Sequence, residues 1–268
     1  MNRHKGFTLV ELLVVIAIIA LLMSILMPAL ARVRKQAKAV ICQSNLKQWS
    51  IIFSMYLGDN NGCFGTGWTG SSTGGFAHGH RWTETLRSYY SNEPKIRLCP
   101  DATKTLGGAS TGAGSRNEAW GCRPEERPTN WFKPDDYGSY GINEYVSNPP
   151  EDILEEFGFD KTNWRSAQIR SAERVPLFLD AGWPGGYPHV TNEVPDPEPT
   201  GVQVTDWGNQ MNKHCFNRHV RGTINGLFVD MSVRKIGVKE LWKLWWYRGY
   251  KEEDGPAEDE WPDWMKLF

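Results

Sequence analysis

The feature of the sequence that points most directly to chemistry is an acid inside an apolar run. Between residues 7 and 31, 21 of 25 positions are apolar, and Glu11 is the only charged residue among them. A helix over residues 7–27 would be about 32 Å long, which matches a hydrocarbon core of roughly 30 Å. A carboxylate at membrane depth costs a few kcal/mol unless it is paired, so Glu11 indicates a function that needs charge pairing away from water.

Two plainer explanations of this segment remain open. Glu11 lies close to the start of the run, where its side chain could simply reach the lipid headgroups. Residues Ala29-Leu30-Ala31 imitate the A-x-A cleavage site of a secretory signal, which would make Arg32 the new N-terminus. The apolar core of such a signal is usually about 7–15 residues long, however, and this run is longer. A polytopic membrane protein is excluded, since the sequence has no second apolar run of about 18 residues.

The residues around Glu11 form a motif. Lys5-Gly6-Phe7-Thr8-Leu9-Val10-Glu11-Leu12-Leu13 resembles the N-terminal signature of type IV pilins and type II secretion pseudopilins. The resemblance implies that a prepilin peptidase cuts after Gly6 and methylates the new N-terminal Phe7. It also implies that Glu11 assists assembly and that Pro28 weakens the helix, since many members of the family carry a proline at that position.

Cleavage after Gly6 would create a charge partner for the acid. The new α-amino group at Phe7 would lie four residues from Glu11 and so on the same helix face. An ammonium and a carboxylate in lipid need each other or a partner on a neighbouring subunit. We therefore expect Glu11 of one subunit to meet the amine of the next. The resemblance implies three kinds of partner: the prepilin peptidase, copies of this and other pilin-like subunits, and an inner-membrane assembly platform.

A second pair of chemistry-bearing residues, His219 and Asp230, flanks a predicted hairpin. Several fragments resemble a branch of large pilin-like proteins that carry a C-terminal H-x9-D-G motif: residues 42–48, 98–100, 139–143, 218–219 and 226–230. Here ten residues separate the histidine from the aspartate, and Met231 replaces the glycine. A metal or catalytic pair is one interpretation. Such residues more often hydrogen-bond a turn, and we expect that role and no metal.

The five cysteines are widely spread: Cys42, Cys63, Cys99, Cys122 and Cys215. The absence of a C-x-x-C pair argues against a zinc ribbon or a thioredoxin-type site. For an exported chain, two disulfides and one thiol is the natural count, and five buried reduced cysteines is the alternative. Cys99 sits in an L-C-P turn that recurs with Cys42 in the resembling family, which implies a Cys42–Cys99 bridge. Cys122–Cys215 is the second candidate.

Other patterns are weaker. Residues 59–62 (DNNG) resemble the start of a calcium loop, but the glycine comes two positions early and no glutamate follows at the bidentate position. The resembling pseudopilins bind calcium in a C-terminal loop, and residues 252–263 are acidic enough to do so. We expect a solvated acidic tail and no cofactor, with calcium as the open alternative. The sequence has no G-x-S-x-G, P-loop or H-E-x-x-H motif, so it predicts no enzyme.

The periodicity of apolar residues predicts the elements that position these groups. One helix is predicted from about Phe7 to Leu57, followed by a glycine-asparagine stop at residues 58–62. Strands are predicted at residues 139–146, 174–181, 223–230 and 232–236, and helices at residues 82–90 and 238–250. The second half of the long helix is amphipathic, with apolar residues at helical spacing: Val33, Val40, Ile41, Leu46, Trp49, Ile52 and Phe53.

The predicted fold class is α+β and pilin-like: a long N-terminal helix packed on a small antiparallel β-sheet with long loops. The predicted divisions are a leader peptide (1–6), a transmembrane or filament-core helix (7–27), the amphipathic second half of the helix (28–58), a periplasmic or extracellular globular domain (59–250) and an acidic tail (251–268).

The predicted function is that of a pilin-like structural subunit. We expect assembly through the N-terminal helix into a type II secretion pseudopilus, which we favour, or a type IV pilus-like filament, in support of protein secretion. Residues 1–58 carry a net charge of +6, but the adjoining apolar run favours a membrane rather than a nucleic acid. An anchored extracytoplasmic carbohydrate-binding module is the alternative, since the chain has 13 Trp.

The predicted location is the inner membrane, which the chain crosses once, with the globular domain in the periplasm and the protein associated with a filament after assembly. This orientation follows from the resemblance. Four basic residues follow the apolar run closely and only two precede it, so the charge distribution alone would favour the opposite orientation.

Overall fold

The computed structural model describes residues 9–67, 81–91, 93–106, 112–129, 131–151, 159–195, 200–201 and 208–268. Its largest element is α1 (Leu9–Asp59), a helix of 51 residues that contains Pro28. At about 1.5 Å per residue it is about 77 Å long. It ends at the predicted stop, where the amide of Gly62 donates to the carbonyl of Leu57 at 2.7 Å and Asn61 and Gly62 adopt left-handed backbone conformations.

The two halves of α1 have different surroundings. Every residue from Leu9 to Lys38 is exposed. The buried face begins at Ala39 and repeats at intervals of three and four residues: Cys42, Leu46, Trp49, Phe53 and Leu57. The predicted members Leu46, Trp49, Ile52 and Phe53 are confirmed as buried, but Val33, Val40 and Ile41 are exposed. They are exposed because the domain covers one face of the helix and only from Ala39 onward.

The larger sheet has the strand order β6-β4-β5-β7-β8. Its strands are β4 (Tyr140–Asn143), β5 (Pro176–Asp180), β6 (Gly185–Gly186), β7 (Thr223–Phe228) and β8 (Val233–Gly237). Neighbouring strands are antiparallel except β4 and β6, whose two-residue pairing is parallel. The four predicted strands are confirmed in this sheet, with bounds that differ by a few residues. The fold is α+β and consistent with a pilin-like arrangement.

A smaller sheet, which the sequence analysis missed, contains β1 (Lys104–Thr105), β2 (Glu118–Cys122) and β3 (Asp136–Gly138). Gly121 makes the close approach of β2 and β3 feasible, because its φ is +99° and a Cβ there would lie 2.0 Å from the Asp136 carbonyl oxygen.

Four short helical segments complete the described helices: α2 (Trp82–Thr85), α3 (Arg87–Tyr90), α4 (Phe159–Thr162) and α5 (Asp263–Lys266). The helix predicted at residues 238–250 is wrong, because only Lys239–Lys243 is helical and it is a 3-10 turn. Leu241, Trp242, Leu244 and Trp246 are all buried. Residues at this spacing cannot all lie on one helix face, so the chain extends and buries them on several sides.

Alternate residues of the central strands enter two hydrophobic clusters. Phe178 and Leu227 lie in the cluster that contains α1, whereas Leu179 and Phe228 lie in a second cluster with Trp242 and other aromatic side chains. The C-terminal segment belongs to this second cluster, with Trp261 and Met265 buried. Its acidic residues 252–254 and 258–260 are exposed, but the segment is anchored to the domain rather than being a purely solvated tail.

Candidate functional site

The exposed half of α1 is an apolar surface with no covering from the described part of the domain. Ile16, Leu21 and Ile25 are 56%, 64% and 68% exposed. By length and composition this helix is sufficient to cross a membrane. An apolar surface of this extent requires lipid or other helices around it. The apolar run is therefore an exposed helix from Leu9 onward, and its place in a membrane or filament core stays a prediction.

The predicted processing and assembly residues lie at the start of this surface. Gly6 and Phe7 lie outside the described residues. Glu11 is in the exposed part of the first turn of α1, and Pro28 is inside the helix. Since proline has no amide hydrogen, the Ser24 carbonyl lacks its helical donor, while the Ser24 hydroxyl donates to the Leu21 carbonyl at 2.7 Å.

A second feature is a cluster of four polar side chains buried where α1 meets the larger sheet. Cys42 comes from α1, Cys99 from the segment after the 3-10 turn Pro94–Arg97, Asp180 from the end of β5 and His219 from the loop before β7. All four are at most 1% exposed. One ligand-type atom from each lies within 4.8 Å of the others. We refer to these four residues as the buried cluster.

His219 bridges two carboxylates. Its Nε2 lies 3.0 Å from Asp180 Oδ2, and its Nδ1 lies 3.0 Å from Asp101 Oδ2. Asp101 also forms an ion pair with Lys38 of α1 at 3.1 Å. Burial disfavours the charged imidazole, but the charge of Asp180 and the hydrogen bonds to both carboxylates outweigh it and raise the pKa of His219 to about 11. His219 therefore lies as an imidazolium between two carboxylates.

The Asp180 carboxylate is ionised although its side chain is fully buried. Burial alone would raise the pKa of its carboxyl, but His219 and Arg218 hold that pKa well below its usual range. Oδ1 accepts from Arg218 at 3.1 Å, and Oδ2 accepts from the Asn225 amide at 2.7 Å. Arg218 also donates to four backbone carbonyls, those of Ser115, Arg116, Ser139 and Ala181.

The two cysteines of the buried cluster face its charged members. Cys42 Sγ lies 3.6 Å and 3.7 Å from the carboxylate oxygens of Asp180, and the Tyr140 hydroxyl donates to it at 3.3 Å. Cys99 Sγ lies 3.6 Å from His219 Nε2. Burial, reinforced by Cys42 and Asp180, raises the pKa of the Cys99 thiol well above its usual value.

The structure keeps all five cysteines as thiols. It brings Cys42 and Cys99, the first predicted pair, into one cluster, but it forms no bond between them. The second predicted pair is not brought together, because Cys122 and Cys215 belong to different hydrophobic clusters. The Cys122 thiol faces the backbone carbonyls of residues 123, 126 and 127.

The structure assigns separate roles to His219 and Asp230. Asp230 stabilises the turn between β7 and β8, where its Oδ1 accepts from the Ser232 amide at 2.9 Å and from the Ser232 hydroxyl at 2.6 Å. Met231 has a φ of +66°, a left-handed conformation that glycine adopts at lower cost, which is consistent with glycine at this position of the motif. The turn role predicted for Asp230 matches this geometry, but His219 is part of the buried cluster.

Sequence reasoning missed Asp101, Asp180 and Arg218. The partners of His219 lie 118 and 39 residues away along the chain, so no local spacing connects them. The calcium-like segment at residues 59–62 instead ends α1. There the Asp59 carboxylate accepts from the Tyr89 hydroxyl at 3.0 Å, and the Asn60 side chain donates to the Tyr56 carbonyl at 2.7 Å.

Comparisons with known proteins bear on a part of the chain. Residues 1–27 match the prokaryotic N-terminal methylation motif. Over 61 residues the chain is 46% identical to the type IV wide pilus major component PilA4 of Thermus thermophilus, a match that covers 23% of this chain and 47% of that protein. The chain thus spans about half the length of this curated relative. No solved structure matches the chain.

Proposed function

We propose that this chain, which belongs to the type IV pilin-like proteins by its N-terminal motif, is a structural subunit of a filament and not an enzyme. The observation that carries the proposal is the exposed apolar half of α1, which extends from a folded domain and is not buried anywhere from Leu9 to Lys38. Such a surface is compatible with lipid before assembly and with other helices after it. The domain would then lie outside the filament core.

Processing is the first part of the proposal. A prepilin peptidase cuts between Gly6 and Phe7 and methylates the new amino group. The support for this is the methylation motif over residues 1–27, which includes both positions. Cleavage removes the basic leader and leaves the apolar helix with a single charged residue, Glu11, near its new N-terminus.

Assembly is the second part. Glu11 of one subunit pairs with the Phe7 amine of the next, which fixes the axial stagger between neighbouring helices. A carboxylate and an ammonium both lose their hydration in an apolar core. Their mutual attraction offsets this cost only when the two groups are in close contact, which favours the pairing. Pro28 leaves α1 with one missing helical hydrogen bond, which allows the two halves to adjust to filament packing.

The proposed setting is the inner membrane, with the domain in the periplasm and the assembly platform as the site of polymerisation. Between the two filament types we favour a type II secretion pseudopilus that supports protein secretion, with a surface pilus-like filament as the other form. The similarity to PilA4, a wide-pilus component, is the reason for retaining the second form as an alternative. Both forms require the same processing and the same helix contacts.

A carbohydrate-binding module is the second candidate, and it requires tryptophans side by side on the surface. Within the described ranges, seven Trp are buried, four are half-buried and none is exposed. The half-buried ones are Trp131, Trp164, Trp245 and Trp264. This part of the chain therefore provides no exposed aromatic platform of the kind that binds sugars.

The mass of the mature chain tests the processing. We would produce the full chain in a bacterium that has a prepilin peptidase and in the same strain without it, and measure intact masses after membrane extraction. The expected mature chain begins at Phe7 with one added methyl group, and the strain without the peptidase keeps the leader. Gly6→Val should keep the leader in both strains, whereas Thr8→Ser should be processed normally. An intact Met1, or a start at Arg32, in the strain with the peptidase would contradict the proposal.

A further inference from the structure

We propose that the buried cluster is a zinc site in which Cys42, Cys99, Asp180 and His219 are the four ligands. The site would fasten the second half of α1 to the domain, since one ligand comes from α1 and the other three from the segments packed against it. The inference rests on the buried cluster, which joins the second half of α1 to the domain, and holds whether or not the chain forms filaments. No spacing in the sequence indicates it, because the ligands lie far apart along the chain.

Three of the six separations between ligand atoms in the buried cluster are close to those of a zinc coordination shell, and all six are at most 4.8 Å. A tetrahedral ion with Zn–S of about 2.3 Å and Zn–N or Zn–O of about 2.0 Å sets a sulfur and a nitrogen or oxygen about 3.5 Å apart, and nitrogen and oxygen about 3.3 Å apart. The observed separations are 3.6 Å for Cys99 Sγ and His219 Nε2, 3.7 Å for Cys42 Sγ and Asp180 Oδ2, and 3.0 Å for Nε2 and Oδ2. These three separations need to change by a few tenths of an ångström to accommodate the ion, and the widest separations in the cluster need to close by up to about 1 Å.

The groups around the ligands form the outer shell that a zinc site requires. Asp101 accepts from His219 Nδ1, which leaves Nε2 as the ligand atom in the arrangement common to zinc-bound histidines. The Tyr140 hydroxyl donates to Cys42 Sγ. Arg218 donates to Asp180 Oδ1, whereas Oδ2 lies 3.0 Å from His219 Nε2 and 3.7 Å from Cys42 Sγ and is the oxygen that would bind the ion. Oδ2 also accepts from the Asn225 amide at 2.7 Å.

The charges of the site balance with the ion in place. Two thiolates and the Asp180 carboxylate bring three negative charges, which the divalent ion and the Arg218 guanidinium neutralise. Outside the ligands, Asp101 is paired with Lys38. Binding releases the two thiol protons and the Nε2 proton of His219, and the ion takes the place of all three. A charge-neutral set of this kind can remain at 0–1% exposure, as the ligands and Arg218 do.

The ligand set selects the metal and its role. Two thiolates, one imidazole and one carboxylate in a tetrahedral arrangement favour Zn²⁺, whereas Mg²⁺ and Ca²⁺ require oxygen ligands. Four protein ligands leave no open position for a substrate, so the site is structural rather than catalytic. The competing state of the same residues is the Cys42–Cys99 disulfide, which would remove both sulfur ligands.

Metal content of the full chain is the first test. The chain would be purified in detergent without added reductant from cells grown with zinc, and zinc would be measured together with X-ray absorption of the bound ion. We expect about one zinc per chain, with two sulfur ligands at about 2.3 Å and two nitrogen or oxygen ligands at about 2.0–2.2 Å. A chelator should lower the melting temperature, and added zinc should restore it.

Variants identify the ligands. Cys42→Ser and His219→Ala should each lose zinc and the visible absorption that a thiolate-bound tetrahedral cobalt ion gives on titration with Co²⁺. Cys215→Ser is the matched control, because Cys215 is also buried but lies outside the cluster. It should keep the metal.

Because a ligand variant can fail to fold for other reasons, the wild-type measurement decides the proposal. Three results would overturn it: a metal-free chain with a Cys42–Cys99 disulfide in mass spectrometry, a metal-free chain with both thiols reduced, or zinc bound without sulfur ligands. The first would assign the cysteines to the disulfide, and the second would leave the cluster as an ion-pair network.

Discussion

At the scale of single residues, Arg218 and Asp180 are an ion pair in which neither side chain reaches solvent. The guanidinium donates one hydrogen bond to the carboxylate and four to backbone carbonyls. The buried guanidinium therefore has protein acceptors in place of water. Forming such a pair gains little net free energy, because both charges must lose their hydration. Breaking it is costly, since the remaining charge stays buried.

We predict that Arg218→Leu lowers the free energy of unfolding by about 3–5 kcal/mol, the usual cost of removing one partner of a buried pair. Urea unfolding of the full chain in detergent, followed by tryptophan fluorescence, measures this change. Arg170→Leu is the control, because Arg170 is exposed and its replacement should change stability by no more than about 0.5 kcal/mol. A loss below about 1 kcal/mol for Arg218→Leu would mean that the pair does not hold the site together.

The residues of the two candidate sites differ in how far the sequence predicts them. Gly6, Phe7 and Glu11 lie within six consecutive positions, so the pattern alone identifies the motif. The buried cluster depends on contacts between α1, the end of β5 and the loop before β7, and these contacts exist only after folding. Because His219 and Asp230 flank a predicted hairpin, the sequence predicts that both hydrogen-bond a turn. Asp230 has this role in the structure, whereas His219 is part of the buried cluster.

At the scale of elements, α1 is one continuous helix whose first half is exposed and whose second half packs against the domain. Trp49 anchors its second half, with ring centroids 5.1 Å from Trp82 and 5.2 Å from both Tyr90 and Phe178. Its indole nitrogen donates to the Ile96 carbonyl at 2.7 Å. This contact therefore combines aromatic packing with a satisfied buried donor.

We predict that Trp49→Ala lowers the free energy of unfolding by about 3–5 kcal/mol, because it leaves a large cavity and an unpaired carbonyl between α1 and the domain. The control is Ile51→Ala on the same helix, since Ile51 is 58% exposed and should cost well under about 1 kcal/mol. The same urea titration compares the two. Equal losses for the two variants would show that the helix does not dock through Trp49.

The elements predicted from the sequence are those with a regular pattern. Residues 176–180 and 223–228 are rich in Leu, Ile and Phe between turn residues, and both are strands. Residues 238–250 carry Leu and Trp at a spacing that resembles a helical pattern. In the structure these side chains are buried on several sides of a mostly extended chain. β1 and β3 are two and three residues long, too short for any periodicity to appear.

At the scale of the whole molecule, the hydrophobic core of the domain is separate from the exposed half of α1, which contacts the domain through the Lys38–Asp101 ion pair at its end. None of the residues from Leu9 to Lys38 is buried against the domain, so hydrophobic burial within the chain does not depend on them. Polymerisation through the helix can then proceed without refolding the domain.

We predict that a chain starting at Arg32 is water-soluble and keeps the melting temperature of the full chain to within about 2 °C. It retains Lys38 and the buried face that begins at Ala39. Circular dichroism against temperature, without detergent for the shortened chain, measures the transition. Aggregation or the loss of a cooperative transition would contradict the separation of the two parts.

The central claim, assembly through the N-terminal helix, predicts a specific failure when Glu11 is replaced. Removing one side of a buried charge pair costs about 3–5 kcal/mol, so the association constant at each joint falls by at least about a hundredfold. A polymer of repeated identical contacts does not tolerate that loss. Glu11→Gln keeps the shape but not the charge and should fail as well, whereas Ser24→Ala, in the same exposed half of α1, should assemble.

The measurement is electron microscopy and quantification of filaments sheared from cells that have the processing and assembly machinery and produce each variant. For wild type and Ser24→Ala we predict filaments. For Glu11→Ala and Glu11→Gln we predict a stable, cleaved protein that stays in the membrane and forms none. Normal filaments from Glu11→Ala would contradict the account, because Glu11 would then be an acid that merely reaches the headgroups.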